Sequence, residues 1–261
     1  MDLFRLMWDF FRVGAMNELQ YRANFVLQLF NSLIALVTGL VGLALVFSYT
    51  NTLGGWSRPE LLVVMGVHIL MGGVIRTAVQ PNMERLMGDV EDGTLDYVLT
   101  KPADAQVLVS VREIRIWQVA DVFTGLIVLL VAVFQMQAGI GIGQTLVFVA
   151  ALVMGGLMIY SFWLVLTSGA FWVVRVDNII QLFDGVYQAG RWPVTIYPDW
   201  LRTTLTFLVP VAFAVTVPAE AMTERLTPQV LAGAVVFTVV ALALSRQIWK
   251  VGLRRYSGAS A

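Results

Sequence analysis

Long apolar runs separated by short polar stretches dominate the chain from residue 25 onward. A hydrocarbon layer ~30 Å thick needs roughly 20 residues of helix to cross it. Backbone polar groups in lipid are satisfied within helices, and the alternating pattern of a β-barrel is absent here. The pattern therefore predicts an all-α integral membrane protein with six transmembrane helices. The predicted helices lie at 25–47, 61–80, 105–136, 145–174, 179–191 and 230–249.

Three of these helices have ends or lengths that the apolar pattern defines less clearly. The second apolar run is predicted to end at Pro81, and the third helix starts at about Ala105 but becomes continuously apolar only from about Ile116. The fifth run, at 179–191, is short and unusually polar.

The first twenty residues have a different pattern, in which Asp2, Arg5, Asp9 and Arg12 recur at helical spacing among aromatic and aliphatic residues. One narrow polar stripe on a broad apolar face is typical of a helix lying in the membrane interface. We therefore expect an interfacial helix at 2–20. The alternative is a helix on the solvent side that packs against a neighbour.

The stretch 192–223 is rich in aromatic residues and broken by prolines. Its apolar part, 205–218, has only 14 residues and is interrupted by Pro210 and Pro218. That length is too short to cross the bilayer comfortably. We expect an external segment with a re-entrant hairpin before the last span.

The positive-inside rule gives the predicted orientation. Of the 17 lysine and arginine residues, only Arg58, Arg191, Arg202 and Arg225 fall on one side of the predicted spans, and the other 13 fall on the opposite side. The count predicts that both termini and the charged connector at 84–104 are cytoplasmic. A crossing at 205–218 would leave the basic C-terminal residues outside.

Composition narrows the chemistry further. Hydrophobic residues make up 58% of the chain and charged residues 13%, against about 25% charged residues in soluble domains. The net charge of zero gives no indication of nucleic-acid binding. There is no cysteine for disulfides or thiol chemistry, and a single histidine excludes a histidine-cluster metal site, so no metal is expected. The first twenty residues also lack the pattern of a cleavable signal peptide.

Catalytic motifs are missing as well. The chain contains no G-x-x-x-x-G-K-[ST], G-x-S-x-G or H-E-x-x-H pattern. Paired carboxylates occur at Glu91/Asp92 and Asp89/Asp96, but in a water-exposed loop such groups are usually solvated. We expect a protein that is not an enzyme by itself.

Ionisable residues also occur within the predicted spans. Arg76 and Asp121 fall at similar depths in neighbouring antiparallel helices, and an unpaired charge there would be costly. We expect the two side chains to form an intramembrane pair. His68 is interpreted as a packed, hydrogen-bonding residue.

The chain has a predicted N-terminal interfacial helix, then a charged connector between the second and third spans, then a proline-broken external hairpin before the last span. This arrangement resembles the permease subunit of ABC-2-type transporters. The connector Gly93-Thr94-Leu95-Asp96-Tyr97-Val98-Leu99-Thr100-Lys101-Pro102 is similar to the G-x-L-D-x-x-L-x-[KR]-P passage of a bacterial six-helix branch formerly described as a domain of unknown function. Gly190-Arg191-Trp192-Pro193, Ile196-Tyr197-Pro198 and Pro210-Val211-Ala212-Phe213 resemble the external segment of that branch. The resemblance covers essentially the whole chain and implies a single ABC-2 (type V exporter-like) transmembrane domain.

The resemblance implies that the connector contains a coupling helix that docks on a separate ATPase dimer. ATP and Mg²⁺ would be bound by that partner, and no cofactor by this chain. In the connector, Leu95, Val98 and Leu99 would fill a groove on the partner, Gly93 would supply a tight turn and Pro102 would end the segment. The implied docking residues are Asp92, Gly93, Thr94, Leu95, Asp96, Tyr97, Val98, Leu99, Lys101 and Pro102.

The resemblance also implies a translocation pathway between two permease copies, identical or homologous, in the bacterial inner membrane. The candidates that line it are Phe183, Asp184, Tyr187 and Gln188. Asp184 would attract a cationic substrate, and the alternative is that it forms a structural hydrogen bond. The expected activity is efflux of a hydrophobic or cationic, drug-like molecule, as in multidrug export. Lipid and polysaccharide remain alternative substrates. A secondary transporter that works without an ATPase, or a membrane scaffold, remains an alternative function, although no inverted repeat is evident.

Overall fold

The structure is a computed structural model that describes Arg12, Met16 and residues 22–136, 139, 141–172 and 179–256. The predicted interfacial helix at 2–20, apart from those two residues, and the predicted turn at 175–178 lie outside the described residues. The described helices are α1 (Arg22–Tyr49), α2 (Arg58–Glu91), α3 (Asp96–Leu99), α4 (Ala105–Ser110), α5 (Ile116–Met136), α6 (Ile142–Phe171), α7 (Ile179–Ala189), α8 (Asp199–Leu208), α9 (Ala212–Met222) and α10 (Pro228–Leu253).

The all-helical membrane architecture is confirmed. Within the described residues, five helices (α1, α2, α5, α6 and α10) are long and apolar enough to cross a membrane, and α8 with α9 would make a sixth if the pair is one span. The axes of α8 and α9 meet at 81°. This bent pair lies where the re-entrant hairpin is predicted.

The second helix does not end at Pro81 but continues to Glu91. The turn Ile75–Val79 is a π-helix, and the chain then resumes an α-helix. Pro81 has no backbone N–H, so the carbonyl of Thr77 lacks its usual partner within the helix. The backbone N–H of Arg115 donates to that carbonyl at 3.0 Å instead. The proline is therefore accommodated because another segment satisfies the carbonyl that it leaves free.

The predicted helix at 105–136 is interrupted after α4. The chain is not helical between Ser110 and Ile116, where it packs along α2. Asn82 holds this break: its Nδ2 donates to the Glu113 carbonyl at 2.8 Å, and its Oδ1 accepts the Glu113 N–H at 2.9 Å. Asn82 replaces the hydrogen bonds that a continuous helix would have given Glu113.

The helix at the fifth apolar run is shorter than a span. The eleven residues of α7 cover about 16 Å, roughly half of the hydrocarbon thickness. Residues 173–178, which precede it, are outside the described part of the chain. The predicted end of the fourth helix at residue 174 falls in the same gap.

Close helix packing puts α2 at the centre of the bundle. A methyl group added at Gly125 of α5 would lie 2.4 Å from the backbone nitrogen of Leu70, so α5 approaches α2 backbone to backbone. Gly155 of α6 is equally close to the Phe213 carbonyl of α9, at 2.4 Å. The apolar side chains of α1 and α10 are mostly exposed and form the surface offered to lipid. We call the end with residues 92–115 the connector end and the end with α8 and α9 the hairpin end.

Candidate functional site

The connector starts with a tight reversal at the end of α2. Gly93 has a φ of +69°, a left-handed conformation that glycine adopts without strain. The N–H groups of Thr94 and Leu95 then donate to the Asp89 carbonyl at 2.8 and 3.1 Å, and the Thr94 hydroxyl donates to the Asp89 carboxylate at 3.0 Å. The turn that the sequence predicts at Gly93 is present.

Two of the predicted docking residues point inward. Leu95 and Val98 are buried in the hydrophobic core of this chain. The short helix α3 thus uses its apolar face to pack on its own bundle, and contact of Leu95 and Val98 with a partner stays a prediction. Tyr97 remains outward, with 76% of its surface exposed, and Leu99 is exposed beside it.

The other predicted docking residues divide in the same way. Asp92, Lys101 and Pro102 are exposed, whereas Gly93, Thr94 and Asp96 are half-buried. The surface that the connector offers is therefore a mixture of one aromatic ring, one aliphatic side chain and charges of both signs. We call Asp92, Tyr97, Leu99 and Lys101 the connector face.

A network of ion pairs fixes the connector end to α2. Arg112 lies 2.6 Å from the Asp89 carboxylate, and both side chains are largely buried. Arg85 lies 2.9 Å from Glu113, and Arg115 pairs with Glu84. These pairs join α2 to the segment between α4 and α5.

The start of α4 is tied to the end of α10. The Asp104 carboxylate caps α4 by accepting the N–H of Gln106 at 3.0 Å. Arg246 pairs with the same carboxylate and also donates to the Gln106 side chain at 2.6 Å. The hydrogen bond from Arg246 holds the pKa of Asp104 below its ordinary value.

The predicted intramembrane residues Arg76 and Asp121 lie in contact. The Arg76 Nη2 atom is 2.7 Å from Asp121 Oδ2, and Asp121 is only 4% exposed. Two residues of α1 complete the site: Ser32 donates to Asp121, and Gln28 Nε2 lies 3.2 Å from its Oδ2. The buried carboxylate thus has a charged partner and two neutral donors.

These residues line a pocket of about 250 Å³ between α1, α2, α5 and α7. Its wall includes Gln188, Arg191 and the half-buried Arg76. We call it the polar pocket. His68 also lines it, and the Nδ1 atom of that ring has no hydrogen-bond partner among the described residues.

The predicted pathway residues on α7 separate into two sets. Phe183 and Tyr187 are buried: the Tyr187 ring stacks on His68 at 4.6 Å, its hydroxyl donates to the His68 carbonyl at 2.9 Å, and Phe183 packs on Trp163 at 4.9 Å. Core packing occupies both rings in this chain, and their role as lining residues of a pathway stays a prediction. Gln188 is exposed on the pocket wall, and Asp184 is half-buried one helical turn away.

Sequence reasoning missed the residues that support these sites. Gln28 and Ser32 are polar residues four positions apart in an otherwise apolar helix, which is a usable signal for one shared polar face. Asn82 directly follows Pro81, a residue that leaves a backbone carbonyl free in the preceding turn. A side-chain amide at such a position is a second usable signal. Arg112 and Arg246 gave no such local signal, because their partners are distant in the sequence. Within the described residues, no three histidine, aspartate or glutamate side chains are grouped so that they could hold a metal ion.

Comparison with known proteins gives one result. The family model described as "ABC-2 family transporter protein" matches residues 33–260. No curated protein and no solved structure matches the chain. The match covers all five long helices in large part, the connector and the bent pair, and permeases of this family generally work with ATPase subunits. The chain is thus a multi-pass membrane protein that belongs to the ABC-2 family of transporter proteins.

Proposed function

We propose that this chain is the permease subunit of an ATP-driven exporter in a bacterial cytoplasmic membrane. Both termini and the connector end are cytoplasmic in this proposal. A second permease, identical or homologous, completes the pathway, and a separate ATPase dimer binds ATP and Mg²⁺. The substrate is a hydrophobic or cationic small molecule, with lipid or polysaccharide as the alternatives.

The observation that carries the proposal is the continuity of α2. The same helix holds Asp89, which anchors the connector, and Arg76, which lines the polar pocket. They are 13 residue positions apart, which corresponds to about 20 Å of helix. A force applied to the connector therefore reaches the pocket through one packed helix rather than through a flexible loop.

The connector face has the composition of a docking surface. Aromatic side chains commonly anchor protein interfaces, while charges around them set orientation and register. Tyr97 fits the first role, and Asp92 and Lys101 fit the second. Leu95 and Val98 support this face from below, since they fix α3 to the bundle.

The proposal is tested by purifying the protein from the bacterium that produces it and identifying co-purifying ATPases by their G-x-x-x-x-G-K-[ST] loop. Replacing Tyr97→Ala and Leu99→Asp together should reduce the retained ATPase about ten-fold or more, as expected for loss of an interface anchor. Tyr49→Ala is the matched control, because Tyr49 is also a strongly exposed tyrosine (86%) but lies at the opposite end of α1 from the connector.

Two outcomes would contradict the proposal. If no ATPase is retained by the unaltered protein, a secondary transporter or a membrane scaffold becomes the better hypothesis for the function of the chain. If the Tyr97/Leu99 variant keeps the ATPase as well as Tyr49→Ala does, the docking surface is elsewhere.

The polar pocket is the proposed path of the substrate. Its wall contains Arg76 and Arg191 against the single carboxylate of Asp121, so the wall itself does not favour a cation. Asp184, half-buried one helical turn from Gln188, lies outside this wall, and we propose that it is the acid that attracts a cationic substrate.

A further inference from the structure

A second cavity lies at the hairpin end, between the bent pair and α10. Its volume is about 670 Å³, within the range of about 300–1,000 Å³ typical of sites for drug-sized molecules. We call it the apolar groove; the residues used below are Thr206, Phe207, Phe213, Glu220, Gly233 and Phe237. None of them belongs to the polar pocket or the connector face.

Three phenylalanine rings form an aromatic wall in this groove. Phe213 and Phe237 are stacked with their centroids 5.3 Å apart, and Phe207 meets Phe237 edge-on at 5.9 Å. The face of an aromatic ring carries a negative electrostatic potential that attracts cations. An apolar wall of this kind can bind a hydrophobic body and a delocalised positive charge at the same time.

The Glu220 carboxylate, also on the groove wall, has no partner of its own. Among the described residues, no hydrogen bond or ion pair to this carboxylate is formed. The nearby Arg225 is already engaged: its guanidinium contacts the two Glu60 oxygens at 2.7 and 3.0 Å, donates to the Gly55 carbonyl at 2.7 Å and lies over the Trp56 ring at 4.8 Å. Glu220 therefore lies on the groove wall with a carboxylate that no described hydrogen bond or ion pair engages.

We propose that the apolar groove binds a lipophilic organic cation, whose charge is balanced by Glu220 and whose apolar body lies against Phe207, Phe213 and Phe237. A lipid acyl chain would also cover the rings, but it offers nothing to the carboxylate. A charged half-buried group next to lipid is costly without a partner. A lipophilic cation would interact favourably with both the aromatic rings and the Glu220 carboxylate. For this reason we propose a cation rather than a lipid acyl chain.

This inference deepens the proposed function by naming a substrate class, and it rests on that function only for the role of the site in export. Binding can be measured without any ATPase. A failure of the ATPase test above would leave the binding result standing, and a failure of binding would leave the permease assignment standing.

The experiment measures equilibrium binding of radiolabelled tetraphenylphosphonium to the full chain in nanodiscs of phosphatidylethanolamine and phosphatidylglycerol, with empty nanodiscs as background. These lipids carry no choline group that could compete as a cation. We expect saturable binding that Glu220→Gln weakens by about ten-fold or more, since an ion pair at low dielectric is lost. Unlabelled tetraphenylphosphonium should displace the label. In separate samples without the cation, tetraphenylborate, which has nearly the same shape and the opposite charge, should show no saturable binding.

Two further variants separate charge from folding. Glu224→Gln removes an exposed acid four residues away and should leave the affinity within about two-fold, because remote exposed charges are screened. Gly233→Leu places a side chain in the groove, where a methyl group would meet no atom within 4 Å. It should abolish binding and leave the elution profile on gel filtration unchanged.

The outcomes are decisive in both directions. Loss of binding in Glu220→Gln and Gly233→Leu, with binding retained in Glu224→Gln, supports the site. Equal binding by Glu220→Gln and the unaltered protein overturns it and leaves an acyl-chain groove. If Glu220→Gln does not fold, Gly233→Leu decides alone: unchanged binding in that variant places the cation elsewhere and also overturns the proposal.

Discussion

The polar pocket beside Arg76 and the apolar groove beside Glu220 each contain a carboxylate, but they treat it in opposite ways. Asp121 in the pocket is buried and accepts from Arg76, Ser32 and Gln28. Glu220 in the groove is half-buried and has none of these. The described part of the bundle therefore satisfies the first acid, while it gives the second no hydrogen bond or ion pair.

This difference separates structural from binding chemistry in a membrane bundle. A charge inside the membrane is a functional hypothesis by default, and on that basis the sequence draws attention to Asp121 and not to Glu220. The contacts rank them differently. Asp121 joins α1, α2 and α5, whereas Glu220 joins nothing and faces a wall of rings.

The largest expected effect comes from removing each acid in turn. Asp121→Leu leaves the Arg76 guanidinium without its partner and should cost about 3 kcal/mol of folding free energy, somewhat discounted because Arg76 is partly exposed. Glu220→Leu should leave the folding free energy unchanged or raise it, since no native contact of the carboxylate is lost. The measurement is equilibrium unfolding in mixed micelles of dodecylmaltoside and SDS.

A double variant controls this comparison. Arg76→Met with Asp121→Leu should recover most of the loss, because an apolar pair can replace a buried ion pair. If Glu220→Leu destabilises the protein as much as Asp121→Leu does, the two carboxylates are both structural and the contrast between the cavities is wrong.

A smaller effect is expected from the neutral donors around Asp121. Ser32→Ala removes one hydrogen bond to a buried carboxylate and should cost about 1.5–2 kcal/mol. Ser48→Ala on the same helix is the matched control: that hydroxyl is exposed and donates only to the Leu45 carbonyl of its own turn, so its loss should cost less than about 0.5 kcal/mol. Equal losses in the two serine variants would show that α1 does not stabilise the Asp121 charge.

Much of the fold could be predicted from the sequence, because long apolar helices follow from periodicity and bilayer thickness alone. The bent pair of α8 and α9 could also be predicted, since Pro210 and Pro218 break an apolar run that is too short to cross a membrane. The continuation of α2 past Pro81 was not, because it depends on the Arg115 N–H, a donor 34 residues further along the chain. The break at Glu113 depends in the same way on Asn82.

The sites were less predictable than the fold for a related reason. The turn at Gly93 is local and was identified, but the direction in which Leu95 and Val98 point depends on which surface α3 packs against. The same applies to Phe183 and Tyr187, whose rings stack with His68 and Trp163 from other helices. An apolar residue in a polar connector has two available partners, its own bundle or another protein, and its sequence position does not distinguish them.

The smallest expected effect concerns Asp104. This acid forms an ion pair, as Asp121 does, but it is more exposed than Glu220. It therefore shows what an ion pair contributes without burial. The hydrogen bond from Arg246 lowers the pKa of Asp104 in the folded protein. The charged carboxylate therefore stabilises the fold fully above its ordinary pKa of 3.8, and this stabilisation is lost as the pH falls through the lowered pKa. Asp104→Asn keeps the helix cap but removes the charge. At neutral pH the free energy of unfolding of the unaltered protein should exceed that of Asp104→Asn by less than about 1 kcal/mol, as for exposed ion pairs generally. This difference should vanish in acid. A difference that persists unchanged below the lowered pKa would mean that it does not come from the charge of Asp104.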